Sequence, residues 1–234
     1  MGEGETQRMR TSRAQGPSTR IRWFRRQLLA WFGCNGRAFP WRDPARTPYE
    51  VIVAEILLQR TTANGVARAY PTFIERYPSW EALSCVSLER LQQDLRPLGL
   101  WRQKAAVFQS LARSLEGGGG RVPTSRRELE QFEGIGQYTA SAVLAIVYGR
   151  AEPLVDVNAA RLLGHFFGLG TFPNIGRDPI LHALARRVVR GERSLQVSWA
   201  ILDFGALVCR PNRPLCKECP LQSGCGFFAC TAGQ

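Results

Sequence analysis

Two acidic side chains and one cluster of thiols carry most of the chemistry this sequence offers. Glu55 is the only ionisable residue in Val51-Ile52-Val53-Ala54-Glu55-Ile56-Leu57-Leu58, a run apolar nearly all round the helix it predicts, and so buried. A carboxyl buried without a cation keeps its proton at neutral pH, as a general acid must. The alternative is a structural carboxylate paired with an arginine or capping a backbone amide. Asp156 is a second lone acid, set between Pro153-Leu154-Val155 and Val157. Two such acids on separate buried helices suit an oxocarbenium-like transition state, one protonating, the other stabilising positive charge.

Between them, Gly134-Ile135-Gly136 separates two helix-like runs. Glycine turns tightly at no steric cost and leaves backbone N–H groups unblocked, so this turn is a candidate for gripping an anionic backbone. The thiols are Cys209, Cys216, Cys219 and Cys225, spaced C-x6-C-x2-C-x5-C within 17 residues. A zinc ribbon brings two C-x2-C pairs and only one is present, so the unequal spacing favours a cubane 4Fe–4S cluster. A zinc site and disulfides are the alternatives, and Cys230 is a rival for the fourth ligand. Cys34 and Cys85 read as ordinary thiols.

The elements that must position these groups are helical almost throughout. Ile21, Phe24, Leu28 and Trp31 recur at helical spacing, as do Val66, Tyr70, Phe73 and Tyr77, and Trp101, Ala105, Phe108 and Ala112. Thr47-Pro48-Tyr49-Glu50 and Ser125 to Glu128 are capping boxes, the second leading into the glycine turn. Asp178-Pro179 and Ser194 open two more helices, ending near Val189 and Val208. No run alternates as a strand does, so the fold class is all-α. The 234 residues suffice for one large or two small domains.

Lys and Arg exceed Asp and Glu by 31 − 19 = 12, which suits a polyanionic partner. Residues 1–26 contribute seven Arg and two Glu, so the remainder still carries 24 basic against 17 acidic residues. No run approaches the roughly 20 apolar residues of a membrane span, so no membrane partner is expected. Residues 1–19 read as a disordered basic arm. Arg25-Arg26 is followed by too short an apolar stretch for an export signal, and the protein reads as intracellular, in cytoplasm or nucleoid if prokaryotic.

The glycine turn, Leu154-Val155-Asp156-Val157-Asn158 and the four-cysteine spacing together resemble the helix-hairpin-helix (HhH-GPD) DNA glycosylases of the endonuclease III type. The resemblance runs from about Ile21 to Cys225. Phe39-Pro40-Trp41-Arg42 and Ala54-Glu55-Ile56-Leu57-Leu58-Gln59-Arg60-Thr61 narrow it to the branch of MutY-like adenine glycosylases and G/T mismatch thymine glycosylases. Endonuclease III places a Schiff-base lysine just after the hairpin; the residue here is Tyr138. A phenol forms no imine, so strand-cleaving lyase activity is expected to be absent or weak. Adenine glycosylases usually carry Ser there and the thymine enzymes Tyr, and the run from Glu55 to Ala63 also looks closer to the thymine branch. The sequence stops nine residues after Cys225, without room for the domain that reads 8-oxoguanine in typical adenine glycosylases. Two departures stand out: Phe132-Glu133 replaces the usual Leu-Pro before the hairpin, and Gly117 to Gly120 is longer than the family pattern.

The resemblance implies a six-helix barrel over residues 45–150, with the helix-hairpin-helix at 126–149. It implies a cluster domain from 20–44 and 151–234, with the 4Fe–4S loop at 209–225 and a cleft between the two. It implies a monofunctional base excision repair enzyme that hydrolyses the N-glycosidic bond of thymine or uracil opposite guanine in double-stranded DNA, acting as a monomer. In these roles Asp156 stabilises the sugar cation or orients water, Glu55 assists the departing base, and Tyr138 lines the pocket mouth. Gly134 and Gly136 bind the DNA backbone. Gln59 or Arg60 contacts the orphaned base, a core or phosphate role being the alternative. An adenine glycosylase acting on A·G or A·8-oxoG is the nearest rival, and a non-catalytic iron–sulfur DNA-binding module the rival from another class.

Overall fold

The computed structural model describes residues 16–116 and 119–231, which contain twelve α-helices and no strand. The chain forms two compact units. The first takes residues up to Gly36 and from Val155 onward; the second is Arg37–Leu154. These limits differ from the expected 44/45 and 150/151. Phe39 stacks on Trp41 with ring centroids 4.7 Å apart, and Trp41 meets Tyr70 edge-on at 5.8 Å, which binds the stretch after Gly36 to the second unit. The basic arm expected over residues 1–19 lies outside the described residues as far as residue 15. From Pro17 the chain is already helical, because proline fits the first turn, where no N–H is needed.

The first unit contains α1 (Pro17–Asn35), α9 (Val157–Phe167), α10 (Pro179–Val189), α11 (Ser194–Leu207) and the short α12 (Gly226–Thr231). Phe24 and Leu28 of α1, Leu162 and Phe166 of α9, Leu181 and Val188 of α10, and Val197 and Phe204 of α11 form its core, each almost wholly buried. Arg25 of α1 caps the far end of α10, donating to Val188 O and Arg190 O at 2.6 Å each.

The second unit holds α2 (Pro48–Leu58), α3 (Ala63–Arg76), α4 (Trp80–Ser84), α5 (Leu88–Leu95), α6 (Trp101–Glu116), α7 (Arg126–Leu129) and α8 (Gln137–Ile146). The expected capping box opens α2: Thr47 Oγ1 accepts from Glu50 N at 3.3 Å, and the Glu50 carboxylate accepts from Thr47 N at 2.8 Å. As its composition requires, α2 is the central helix. Val51, Ile52, Val53, Ile56 and Leu57 are all buried, against α3, α6 and α8. Burying each such side chain is worth about 1.5–3 kcal/mol, so the position of Glu55 is fixed by its apolar neighbours. Of the glycine run, Gly117 and Gly118 lie outside the described residues, while Gly119 and Gly120 adopt φ of +70° and +71°.

Two buried phenols in this unit set an alkaline limit. Tyr49 donates its hydroxyl to Tyr77 O, and Tyr70 donates to Glu50 O at 3.2 Å. Burial raises both phenols well above their usual range, so the folded protein keeps protons that the unfolded chain loses near pH ~10. Their stabilisation is complete below that pH and is lost above it. Lys104, lowered by burial to about 8, acts oppositely between pH 8 and its unfolded value. Thermal melts should therefore fall steeply above pH ~10, a loss that Tyr49→Phe should soften.

Candidate active site and cysteine-lined cavity

Asp156 sits at the N-cap of α9, where extended backbone (φ −107°, ψ −172°) turns into helix. Its Oδ1 accepts from the amides of Asn158 and Ala159, both at 2.8 Å, and Oδ2 accepts from Asn158 Nδ2 at 2.9 Å. A carboxylate offers about four acceptor directions, so one on Oδ2 is left over. These three bonds hold the carboxyl group rigidly at a helix terminus, where the peptide dipoles favour negative charge. That is suited to stabilising a cation or aligning water. The same bonds also make an ordinary helix cap, which is why the residue tolerates being half-buried.

Asn158 is itself held. Its Oδ1 accepts from Arg161 Nη2 at 2.8 Å, and Arg161 donates further to Gly205 O at 2.8 Å and Cys209 O at 2.7 Å. The Asp156 carboxylate is thus connected through two side chains to the backbone of the first cysteine. Cys209, Cys216, Cys219 and Cys225 all line one small, partly open cavity, with Leu162, Phe166, Phe204 and Leu221 as apolar walls. His165 lies against it, its Nδ1 3.4 Å from Cys209 Sγ and its ring stacked on Phe227. Burial pushes the Cys209 thiol up to about 12 and the Cys219 thiol to about 11, so whatever binds them must bring positive charge. Among the described residues no three His, Cys, Asp or Glu side chains converge where one ion could sit. Four thiols lining one cavity are a donor set that either a zinc ion or an iron–sulfur cluster could use. Cys34, Cys85 and Cys230 are exposed and do not line this cavity.

The remaining predicted residues belong to the second unit. Glu55 is buried at 6% exposure, as expected, and its carboxyl is not without a partner. Gly134 has φ +79°, and a Cβ there would lie 2.3 Å from Val107 Cγ1, so both backbone and packing demand glycine. Gly136 differs. Its φ is −85°, it is exposed at the N-cap of α8 without a side-chain cap, and a Cβ would meet nothing within 4 Å. Nothing inside the fold requires glycine at 136. Half-buried Tyr138 is the second residue of α8. Gln59 is brought to the hairpin, its Nε2 donating to Gly134 O at 3.1 Å, while exposed Arg60 adopts φ +51°.

Residues 53–188 match the HhH-GPD superfamily of base excision DNA repair proteins. The chain belongs to that superfamily. A thymine-DNA glycosylase from Aeropyrum pernix is 36% identical over 89% of this chain and 96% of its own length. An adenine DNA glycosylase from Homo sapiens is 33% identical over 86% of this chain, but only 39% of that protein is covered. The solved structure of a thermostable thymine-DNA glycosylase superposes with a TM-score of 0.84 at 31% identity, covering 90% of this chain and 97% of that one. The all-α HhH-GPD fold expected from the sequence is therefore the observed one.

Within this HhH-GPD chain, sequence reading missed Asn158, Arg161, His165 and Lys104 as supporting residues. The Asp156-x-Asn158-x-x-Arg161 spacing could have exposed the first two, since i+2 and i+5 from an N-cap return to the same end of the helix. Nothing local marks Lys104. The two hairpin glycines should separate in experiment. Gly134→Ala should destabilise the fold by roughly 1–3 kcal/mol through strain and overpacking. Gly136→Ala should melt like the parent, yet bind duplex DNA several-fold more weakly in a fluorescence-anisotropy titration.

Proposed function

We propose that this protein is a monofunctional mismatch DNA glycosylase that releases thymine or uracil opposite guanine from double-stranded DNA by hydrolysis. Tyr138 carries the reading. It stands directly behind the hairpin glycines, where a Schiff-base mechanism would need an amine. The sequence has only two lysines, Lys104 and Lys217. Lys104 is buried with its ammonium fully engaged, and Lys217 lies in the cysteine loop. The similarity to a thymine-DNA glycosylase over nearly the full length of both chains supports the same choice.

In this mechanism the amides at the head of α8 and the arginine-rich surface hold the phosphates, giving strongly salt-dependent affinity. The mispaired nucleotide leaves the stack more cheaply than a paired one. Glu55 assists departure of the base by donating a proton or ordering a water. Asp156 stabilises the oxocarbenium sugar and aligns the water that attacks C1′. Arg60 reads the orphaned guanine, for which a guanidinium is the matching bidentate donor. Cys209, Cys216, Cys219 and Cys225 would hold a 4Fe–4S cluster, which when bound staples a loop carrying Arg210, Arg213 and Lys217. The product is an abasic site in an intact strand, formed by a monomer.

The test is single-turnover base release from end-labelled duplexes carrying T·G, U·G, A·G and A·8-oxoG, with and without alkali. Alkali-dependent cleavage at T·G and U·G alone is the expected result. Cleavage confined to the adenine mispairs would move the enzyme to the adenine branch. Strand cleavage without alkali would contradict the role given to Tyr138.

A further inference from the structure

Among the described residues, Lys104 is the one fully buried cation, and the proposed chemistry leaves its charge unused. It lies on α6 at 1% exposure, and its ammonium donates to Gln59 O at 2.7 Å, Thr61 Oγ1 at 2.8 Å and Gly99 O. An ammonium has three donors, and all three are engaged. Two of the acceptors belong to the residues flanking Arg60. The third belongs to Gly99, whose Cα lies so near Arg60 O that an added Cβ would sit 2.8 Å from it.

The held segment has an unusual backbone. Arg60 has φ +51° and Leu100, next to Gly99, has φ +57°, both left-handed conformations that non-glycine residues adopt at a cost of about 1–3 kcal/mol. Such a conformation persists only where the surroundings over-determine it. Here α2 ends at Leu58, Gln59 is tied to Gly134 O of the hairpin, Thr61 N donates to Leu58 O at 3.1 Å, and Lys104 clamps the carbonyl before Arg60 and the hydroxyl after it. The outcome is an exposed arginine on a rigid, internally bolted turn. A flexible arginine would need no such support to sit on a surface.

We propose that Lys104 is a positioning residue for opposite-base discrimination: its ammonium fixes the Gln59–Thr61 turn and thereby aims Arg60 at the guanine left behind by the flipped base. This rests on the reading of Arg60 given above. A point cation with three short donors is suited to bolting three oxygens together, and the planar fork of an arginine is not. The four-carbon stem meets the apolar core while the head supplies the charge.

The experiment is a double-mutant cycle on the full chain, reading the ratio of single-turnover kcat/KM for U·G over U·A duplexes. Lys104→Met and Arg60→Ala should each lower this ratio roughly 10-fold or more, the worth of one bidentate base contact, mainly through weaker binding of the U·G duplex. The double variant should lose no more than the worse single one, because both act through one contact. Thr61→Val removes one acceptor and leaves Lys104 in place, so it gives a smaller loss in the same ratio even if Lys104→Met folds poorly. Equal loss of rate on both duplexes in Lys104→Met and Thr61→Val would show a merely structural role and overturn the proposal. Additive losses in the double variant would overturn it too. If Arg60→Ala leaves the ratio intact, the reading of Arg60 fails and this inference falls with it, while base release by Asp156 and Glu55 stands.

Discussion

Replacing Asp156 with Asn is expected to reduce base release from T·G and U·G duplexes by roughly 10²–10⁴-fold while leaving the fold and duplex affinity close to those of the parent. Asparagine caps helices about as well as aspartate, so the bonds from the Asn158 and Ala159 amides to the side-chain oxygen can persist. Only the charge and one acceptor are lost. The contact most disturbed is that with Asn158 Nδ2, which would face an amide N–H₂ instead of Oδ2 unless Asn158 flips; Arg161 Nη2 on the Asn158 Oδ1 opposes that flip. A melting temperature within a few degrees of the parent, with release near background, separates a catalytic carboxylate from a structural cap. Full activity in Asp156→Asn would assign the carboxylate to the cap alone.

The elements of this fold were readable because local signals and burial agree. The capping boxes, the apolar run around Glu55 and the prolines at helix starts each state a boundary that tertiary packing does not contest. Asp178 illustrates it, with Leu181 N donating to its carboxylate at 2.8 Å to open α10 where the sequence places it. The supporting network was not readable for a physical reason. Arg161, Lys104 and Gly205 act on groups 44, 43 and 47 positions away: the Arg161 bond to Gly205 O, the Lys104 bond to Thr61 and the Gly205 approach to Asn158. No periodicity carries such information, because each depends on which faces the packing brings together. The same holds for the unit limits. Phe39-Pro40-Trp41-Arg42 is recognisable as a motif, but which core receives Trp41 is decided by Tyr70.

Gly205 offers the sharpest stability test, since local propensity and packing predict opposite signs. It lies inside α11, where Gly→Ala ordinarily stabilises a helix by about 1 kcal/mol. Here the new Cβ would sit 2.7 Å from Asn158 O and 2.8 Å from Asn158 Cβ, atoms that cannot swing aside. The start of α9 has to move away from α11, carrying Asn158 and the Asp156 cap with it, and stretching the Arg161 bond to Gly205 O. Overpacking of this kind costs about 1–3 kcal/mol, which lowers the melting temperature by roughly 2–10 °C in a chain of this size. Single-turnover base release should fall about 10-fold or more, because a displacement of the order of 1 Å at a reacting group is enough for such a loss. Gly33→Ala in α1 is the control: its Cβ would meet nothing within 4 Å, so it should be neutral or stabilising with unchanged turnover. Should Gly205→Ala instead melt and turn over like Gly33→Ala, the close approach of α9 to α11 would have no part in holding Asp156.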